Sequence, residues 1–249
     1  MFTRITRSVF PLACLLAYAV TLPAQTQNQL KGNYILAEEG MSANGNFASL
    51  SLLTFNENGG VTGREYLRTV SGEQWTDVQG TYALDGVNLG TLKLSTMTQD
   101  TEGNDVTSTE TFRFAVSSSQ IQAIRTDGNT LSTATLLAAG GAVNGAFVFS
   151  QLDSRDSEAR IVSVNVDTLG NVTGTSISRD LDSVDASVVS GTFATTENGF
   201  SNLTFNSQVT DAEGNVQVVN EVYVVLGGKD RAIALRSGAG PIQLTTLTK

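Results

Sequence analysis

The sequence predicts an all-β protein built from two tandem antiparallel up-and-down β-barrels. Three observations predict it: an internal repeat that covers most of the chain, an alternation of apolar and polar residues, and turn motifs at short intervals. Thr, Val, Ser, Gly and Asn dominate beyond the N-terminal segment, and β-branched residues suit strands better than helices. A β-sandwich built from both copies is the alternative architecture.

The internal repeat is defined by two stretches with similar residues at one spacing. Residues 59–63 read Gly-Gly-Val-Thr-Gly and residues 170–174 read Gly-Asn-Val-Thr-Gly, which sets an offset of 111 residues. The offset holds from Leu50 to the C-terminus without an insertion, and about a fifth of the aligned positions are identical. Only the start differs, where Gly32 aligns with Gly145 at an offset of 113. Such a register indicates two copies of one fold.

Alternating apolar residues predict strands with one buried face. Val162, Val164 and Val166 are separated by polar residues, and Phe112 and Phe114 flank a single Arg. Successive side chains of a strand point to opposite faces, so a period of two places one face in a core and the other in water. We therefore expect each copy to enclose its own interior.

Turn motifs divide each copy into eight strands. Asn or Asp followed three residues later by Gly recurs at residues 56–60, 100–104, 167–171 and 211–215. The Asn or Asp side chain caps a tight turn, and Gly takes the positive φ angle that a hairpin needs. The predicted strands begin near Asn33, Phe47, Val61, Trp75, Leu89, Val106, Gln120 and Leu131, and near Ala146, Arg160, Val172, Ser187, Ser201, Val216, Arg231 and Ile242. Eight sequential strands with short connections favour an up-and-down barrel.

The N-terminal segment predicts a cleavable secretory signal peptide. Two arginines precede an apolar run at residues 9–20, which is too short to span a membrane as a helix. Cleavage is predicted after Ala24, with Ala19 as the alternative. We therefore expect a secreted or periplasmic protein with no membrane span in the mature chain. The predicted domains are a signal peptide at residues 1–24, barrel one at 25–139 and barrel two at 140–249.

Residue types restrict the chemistry that the chain offers. The sequence contains no His, and its one Cys, Cys14, lies in the predicted signal peptide. This excludes Ser-His-Asp and Cys-His catalysis and metal sites made of His or Cys. Glu65, Asp77, Glu110 and Asp185 are candidates for paired carboxylates, but surface charge is the favoured interpretation. The sequence therefore predicts no enzyme, no catalytic residue, no metal site and no cofactor, and it identifies no ligand-binding residue.

Three charged pairs recur in both copies: Arg68 with Arg179, Glu110 with Glu221, and Arg125 with Arg236. Because residues shared by both copies serve the fold first, we expect Glu110 and Arg125, in adjacent strands, to form an ion pair or to close a barrel end. The one Trp, Trp75, aligns with Ala186 and is predicted to be a rim residue.

Short motifs in copy one resemble those of calycin-type barrels. They are Gly32-x-Tyr34, Val61-Thr62-Gly63, Gly80-Thr81-Tyr82 and Arg125. The lipocalins and the avidin-like proteins are the known groups. The resemblance implies an eight-stranded barrel in which a late-strand Arg packs across the first-strand aromatic residue. The order of these motifs is also similar to that of a tandem β-repeat in uncharacterised secreted bacterial proteins.

Composition and fold together set the expected function. The formal net charge is −9 and becomes −11 when Arg4 and Arg7 leave with the signal peptide. An acidic chain is a poor partner for nucleic acid or anionic lipid, so we expect neither. We expect an exported, non-catalytic barrel protein that binds a small apolar molecule in a lumen. The alternative is a structural or adhesive protein with solidly packed barrels and a cell-surface partner.

Overall fold

The structure, a computed structural model, describes residues 30–85, 88–99, 102–117, 120–153, 158–179, 183–196, 198–210, 216–238 and 240–249. The predicted signal peptide and the turn predicted at residues 211–215 lie outside these described residues. Strands make up the regular structure of the described chain, and none of its segments forms a helix with the length and apolarity that a membrane crossing requires.

Sixteen strands form two sets of eight. The first set is β1 (Gly32–Ser42), β2 (Gly45–Phe55), β3 (Gly60–Thr69), β4 (Gly72–Leu84), β5 (Leu89–Gln99), β6 (Asp105–Val116), β7 (Ile121–Arg125) and β8 (Leu131–Ala138). The second set is β9 (Gly145–Asp153), β10 (Glu158–Val166), β11 (Asn171–Arg179), β12 (Val184–Thr195), β13 (Ser201–Thr210), β14 (Val216–Gly227), β15 (Arg231–Ser237) and β16 (Leu244–Thr248).

Each set closes into a barrel of antiparallel neighbours, so the predicted fold class is confirmed and the sandwich alternative is wrong. Barrel one closes where β1 pairs with β8 over a continuous register from Tyr34↔Ala138 to Met41↔Leu131. Barrel two closes where β16 meets β9 at Thr248↔Val148, and the Thr248 hydroxyl also donates to the Val148 carbonyl at 3.2 Å.

The turns form as the motifs predict where they are described. The side-chain oxygen of Asn56 accepts two backbone N–H groups, at 3.0 and 2.8 Å, and Gly59 has a φ of +80°. The carboxylate of Asp167 accepts two backbone N–H groups at 2.8 Å, and Gly170 has a φ of +84°. Because a residue with a Cβ rarely adopts such a φ, Gly is required at both positions.

The glycines that mark the repeat inside strands are required by close strand contact. A Cβ on Gly80 would lie 1.9 Å from the Lys93 carbonyl oxygen, and one on Gly191 would lie 1.9 Å from the Thr204 carbonyl oxygen. Neither glycine has a positive φ, so absence of a side chain is what the position needs. The repeat therefore preserves the path of β4 and β12 across their neighbours.

Aromatic side chains fill one end of the lumen of barrel one. Phe55 contacts Tyr34 and Tyr82 edge to face, with ring centroids 5.1 and 5.2 Å apart. The Tyr82 hydroxyl donates to the Leu30 carbonyl at 2.6 Å, which holds Leu30 against this end. Burial of each such side chain stabilises the fold by roughly 1.5–3 kcal/mol. We refer to this part of the lumen as the apolar end.

The two barrels pack through outward-facing residues of different strands. The buried residues of this interface are Ile35, Ala37, Ala48, Leu50, Tyr66 and Leu137 of barrel one, and Phe200, Val224, Leu226, Ile233 and Leu235 of barrel two. Trp75 is 42% exposed and lies at the edge of the interface. Its ring is 4.8 Å from the Tyr66 ring and 4.9 Å from the Phe200 ring, so Trp75 packs against residues of both barrels.

Arg68 of barrel one forms hydrogen bonds with the end of β15 and with the β15–β16 loop of barrel two. Its guanidinium donates to the carbonyls of Arg236 and Pro241 at 2.7 and 2.9 Å, to that of Gly240 at 2.8 Å, and to that of Gly238. The side chain is buried, whereas its repeat equivalent Arg179 is exposed. Arg68 therefore supplies the donors that these loop carbonyls would otherwise lack.

We predict that Arg68→Ala loosens the barrel–barrel contact. Loss of the guanidinium removes four hydrogen bonds to partly buried carbonyls, so the free energy of unfolding should fall by roughly 3 kcal/mol. Urea unfolding followed by Trp75 fluorescence measures this, because Trp75 packs on Phe200 of the other barrel. Arg179→Ala, the control, should change the value by less than about 0.5 kcal/mol. Equal losses in both variants would contradict the role of Arg68.

Candidate functional site

The lumen of barrel one changes from apolar to polar along its length. On β1, Leu36 belongs to the apolar core and Glu38, two residues later on the same face, is buried beyond it. On β6, Phe112 is in the core and Glu110 precedes it by two residues. The inward polar residues at this end are Glu38, Ser49, Ser51, Glu65, Thr76, Glu110, Arg125 and Ser132. We call this region the acidic end.

Arg125 is the cation at the centre of the acidic end. Its guanidinium lies 2.7 Å from a Glu110 carboxylate oxygen, 3.3 Å from Asp127 and 3.9 Å from Glu38. Glu65 also faces this region and accepts a hydrogen bond from the Ser51 hydroxyl at 3.5 Å. Four carboxyl groups therefore share one guanidinium among the described residues of this end.

Burial changes the ionisation of these carboxyl groups. Desolvation and the neighbouring Glu110 raise the pKa of Glu38 from its ordinary 4.5 to about 8, against the opposing effects of Ser132 and Arg125. Desolvation and Glu110 likewise raise the pKa of Glu65 to about 7. Burial also raises the pKa of Glu110, although Arg125 opposes it. At neutral pH, Glu38 is therefore largely protonated and Glu65 is poised between its two forms.

The carboxyl groups do not form a metal site. In the described part of the chain, no cluster of three or more Asp, Glu, His or Cys residues has an arrangement that could hold a metal ion. The sequence-based prediction of no metal therefore stays a prediction for the residues outside this part. Protons and Arg125 offset the like charges of the acidic end in the structure as it stands.

Barrel two carries a different set of residues at the equivalent lumen positions. Glu38, Ser49, Glu65, Glu110 and Arg125 align with Gln151, Arg160, Ser176, Glu221 and Arg236. The Glu221 carboxylate pairs with the guanidinium of Arg160 and, at 3.1 Å, with that of Arg236. Arg160 also donates to the Ser176 hydroxyl. One carboxylate between two guanidinium groups gives these positions a formal charge of +1, against −2 in barrel one.

Glu38 and Glu65 of barrel one lie farther from a guanidinium group than Glu221 of barrel two does. Ser51 is 3.5 Å from Glu65 and Arg125 is 3.9 Å from Glu38, whereas the Arg160–Glu221 contact is 2.5 Å. Short contacts satisfy the buried charges of barrel two within the protein. One Glu38 oxygen accepts a hydrogen bond from the Ser132 hydroxyl, so its other oxygen and the weakly bonded Glu65 carboxyl can accept further hydrogen bonds.

The structure brings together two of the four carboxylates singled out from sequence. Glu65 and Glu110 both face the lumen of barrel one, and the predicted Glu110–Arg125 ion pair is confirmed. Asp77 and Asp185 are exposed and do not join them. Sequence reasoning missed Glu38, although its spacing of two from Leu36 places it on the same inward face.

The arginine role implied by the calycin resemblance is wrong here. Arg125 does not pack across Tyr34. It contacts carboxylates at the acidic end, and Tyr34 packs on Phe55 at the apolar end. Tyr34 is the third residue of β1, whereas Arg125 is the last residue of β7. Both strands pair antiparallel with β8 and therefore run in the same direction, so the start of β1 and the end of β7 lie at opposite ends of the barrel.

Similarity to known proteins is slight. No protein family and no curated protein matches the sequence. Among solved structures, the chain is similar to kievitone hydratase from Nectria haematococca, with 9% identity, a TM-score of 0.25 and coverage of 91% of each chain. Similarity at this TM-score carries no argument about the fold or the reaction of this chain. The fold assignment rests on strand pairing.

The prediction that the chain is not an enzyme is contradicted, and we correct it. One solved structure to which the chain is similar is that of an enzyme, a hydratase, although at a TM-score of 0.25 it assigns no reaction to this chain. The prediction relied on the absence of His and of a Cys beyond the N-terminal segment. It gave no weight to buried carboxyl groups, and a carboxyl with a pKa of about 7, as at Glu65, suits proton transfer at neutral pH. We therefore withdraw the prediction that the chain is not an enzyme.

We predict that Glu38→Gln, which introduces the residue of barrel two, flattens the pH dependence of stability. The folded chain keeps the Glu38 proton up to about pH 8, while the unfolded chain releases it near its ordinary pKa of 4.5. Between these values the folded state binds more protons, so stability falls as pH rises, by up to about 1.4 kcal/mol per pH unit for one group.

Melting temperatures from pH 4 to 9 check this prediction. Wild type and Glu38→Gln should agree near pH 4, and the variant should be the more stable near pH 8. Asp77→Asn, on the exposed face of β4, is the control and should follow the wild-type curve. Parallel curves for wild type and Glu38→Gln would rule out the raised pKa.

Proposed function

We propose that the acidic end of barrel one binds a small organic cation, an amine or a guanidinium compound. The observation that carries the proposal is the excess of inward carboxyl groups over cations: the buried Glu38 and Glu65 and the half-buried Glu110 face the lumen, with Arg125 as the one inward cation among the described residues of this end. Buried carboxylates are strongly disfavoured without a partner. A cationic ligand would replace the protons that now neutralise them.

Hydrogen-bond geometry supports a ligand with several N–H groups. Carboxylate oxygens accept from ammonium and guanidinium donors, and such charge-assisted bonds are roughly twice as strong as neutral ones. The Glu38 oxygen that Ser132 does not contact and the Glu65 carboxyl, whose Ser51 contact is 3.5 Å, offer acceptor positions for these donors. The ionic cluster of barrel two satisfies its own charges, so we place binding in barrel one only.

The proposal replaces the apolar ligand expected from the sequence. The apolar end of barrel one is filled by Phe55, Tyr82 and Phe112, which are all buried. The polar residues lie at the other end, so recognition by charge suits this lumen better than recognition by apolar surface.

We also propose, from the N-terminal segment, that the chain acts outside the cytoplasm. The support is the basic region followed by the apolar run at residues 9–20 and Ala24. The intact mass of the exported protein tests it: the mass should correspond to a chain that begins at Gln25. A mass that retains Cys14 would contradict this cleavage.

Calorimetric titration tests cation binding. The probes are a monoamine, a diamine and guanidinium, with the alcohol of the same shape as the neutral control. We expect the cations to bind and the alcohols not to bind. Because ionised carboxylates favour a cation, binding at pH 7 should release protons, so the measured heat should change with the ionisation enthalpy of the buffer.

Variants locate the binding. Glu65→Ser, the residue of barrel two, should weaken cation binding at least about tenfold, the effect of losing about 1.4 kcal/mol. Asp77→Asn, outside the lumen, should bind like wild type. Equal weakening by both variants, or equal binding of amines and alcohols, would exclude the acidic end as the site.

A second candidate function is general acid–base catalysis on a bound ligand. The observation that favours it is the pKa of Glu65, about 7, at a buried position beside Glu110 in the lumen. A catalytic Glu65 would transfer a proton without forming a covalent intermediate. Any amine that binds would then be followed by NMR for chemical change over time. Turnover in wild type that persists in Glu65→Gln would rule this role out.

A further inference from the structure

The contact between the barrels joins two unlike faces of one repeated unit. Barrel one contributes the outward residues of β1 to β3, such as Ile35, Leu50 and Tyr66. Barrel two contributes the outward residues of β14 and β15, such as Val224 and Leu235. An interface between unlike faces of equivalent units is heterologous. Barrel two therefore still exposes its own copy of the face that barrel one uses here, and barrel one still exposes its own copy of the face that barrel two uses.

The unused face of barrel two matches the face that barrel one buries. We call it the socket face: Val148, Ala159, Ile161, Ile177 and Arg179 on β9 to β11. By the repeat these align, in order, with Ile35, Ala48, Leu50, Tyr66 and Arg68. Val148, Ile161 and Ile177 are 46%, 54% and 52% exposed, whereas their counterparts in barrel one are exposed by 1% or less.

Part of the socket face lies along a groove. Ile161 on β10 lies directly opposite Ile177 on β11 in the antiparallel register. A groove of about 370 Å³ lies over these two residues and is also lined by Ala159, Arg179 and the polar side chains of Ser150, Gln151, Arg160 and Gln243. Exposed β-branched residues at adjacent positions form an apolar surface that favours burial against another protein surface.

The unused face of barrel one matches the face that barrel two buries. We call it the plug face: Ile124 on β7, Leu131 on β8 and the loop at residues 126–130. Ile124 and Leu131 align with Leu235 and Ile242 of the internal interface. They are 54% and 80% exposed, whereas Leu235 is fully buried. The loop aligns with residues 237–241, which supply carbonyls to Arg68.

We infer that copies of this chain associate head to tail, with the socket face of one copy on the plug face of the next. The internal interface provides the template, and Arg179 takes the place of Arg68 by donating to carbonyls of the 126–130 loop of the next copy. This inference is independent of the proposed ligand site, since neither face includes Glu38, Glu65 or Glu110.

Polar residues on the plug face lead us to expect that association between copies is weaker than the contact between the two barrels of one chain. Arg113 and Gln122 stand where barrel two has Val224 and Ile233. Arg113 also forms an exposed ion pair with Asp85, which adds little to association. We therefore expect reversible association in the micromolar range or weaker, and growth into chains because a heterologous contact without ring closure does not stop at a dimer.

Analytical ultracentrifugation of the signal-free chain over a concentration series up to about 100 µM tests the inference. Wild type should sediment faster as concentration rises. Ile161→Asp on the socket face and Leu131→Asp on the plug face should each remain monomeric. Leu169→Asp, a control at an 86% exposed position outside both faces, should behave like wild type. Circular dichroism and melting temperature verify that each variant is folded.

Mixing the two monomeric variants separates this inference from other arrangements. Ile161→Asp keeps its plug face and Leu131→Asp keeps its socket face, so an equimolar mixture should form dimers and nothing larger. Arg179→Ala should weaken association several-fold in the wild-type background. A wild-type chain that stays monomeric throughout the series would overturn the inference. Association that survives Leu131→Asp would also overturn it, because a symmetric socket-to-socket dimer does not need the plug face.

Discussion

Closure of each eight-stranded sheet is the constraint on which the rest of this structure depends. A closed barrel of this size leaves a lumen just wide enough for its inward side chains, and every second residue of each strand must enter it. Gly80 and Gly191 allow the neighbouring strands to approach closely enough for closure. Each inward position therefore has a strong effect on what fills the lumen, and a change of one residue changes the chemistry of the interior.

The two barrels pair the charged side chains at equivalent lumen positions in different ways. Barrel two places Glu221 between Arg160 and Arg236, so its buried charges are satisfied inside the protein. Barrel one places Glu38, Glu65 and Glu110 around Arg125, and raised pKa values at the three glutamates show that this arrangement disfavours their charged forms. A duplicated fold can carry such a site in one copy because apolar packing elsewhere supports it.

The barrel–barrel contact is formed by outward-facing residues, which do not enter either lumen. Tyr66 and Arg68 of barrel one are buried by the second copy, while their equivalents Ile177 and Arg179 stay exposed. One repeated surface thus serves as an internal contact in the first copy and remains available in the second. Polar substitutions such as Gln122 on the complementary face reduce the tendency of an open repeat to aggregate.

The sequence by itself determined the class of fold: period-two alternation and the 111-residue repeat specify two all-strand units, because both are local or register properties of the chain. Parity along a strand also places Glu110 inward with Phe112. Only the tertiary structure decided that Glu38, Glu65 and Arg125 share one lumen end, since they lie on β1, β3 and β7 and barrel closure sets their distances. The tertiary structure also separates Asp77 from Glu65. Both side chains are acidic, but the register of β4 places Asp77 on the outer face of the barrel, where it is exposed to water.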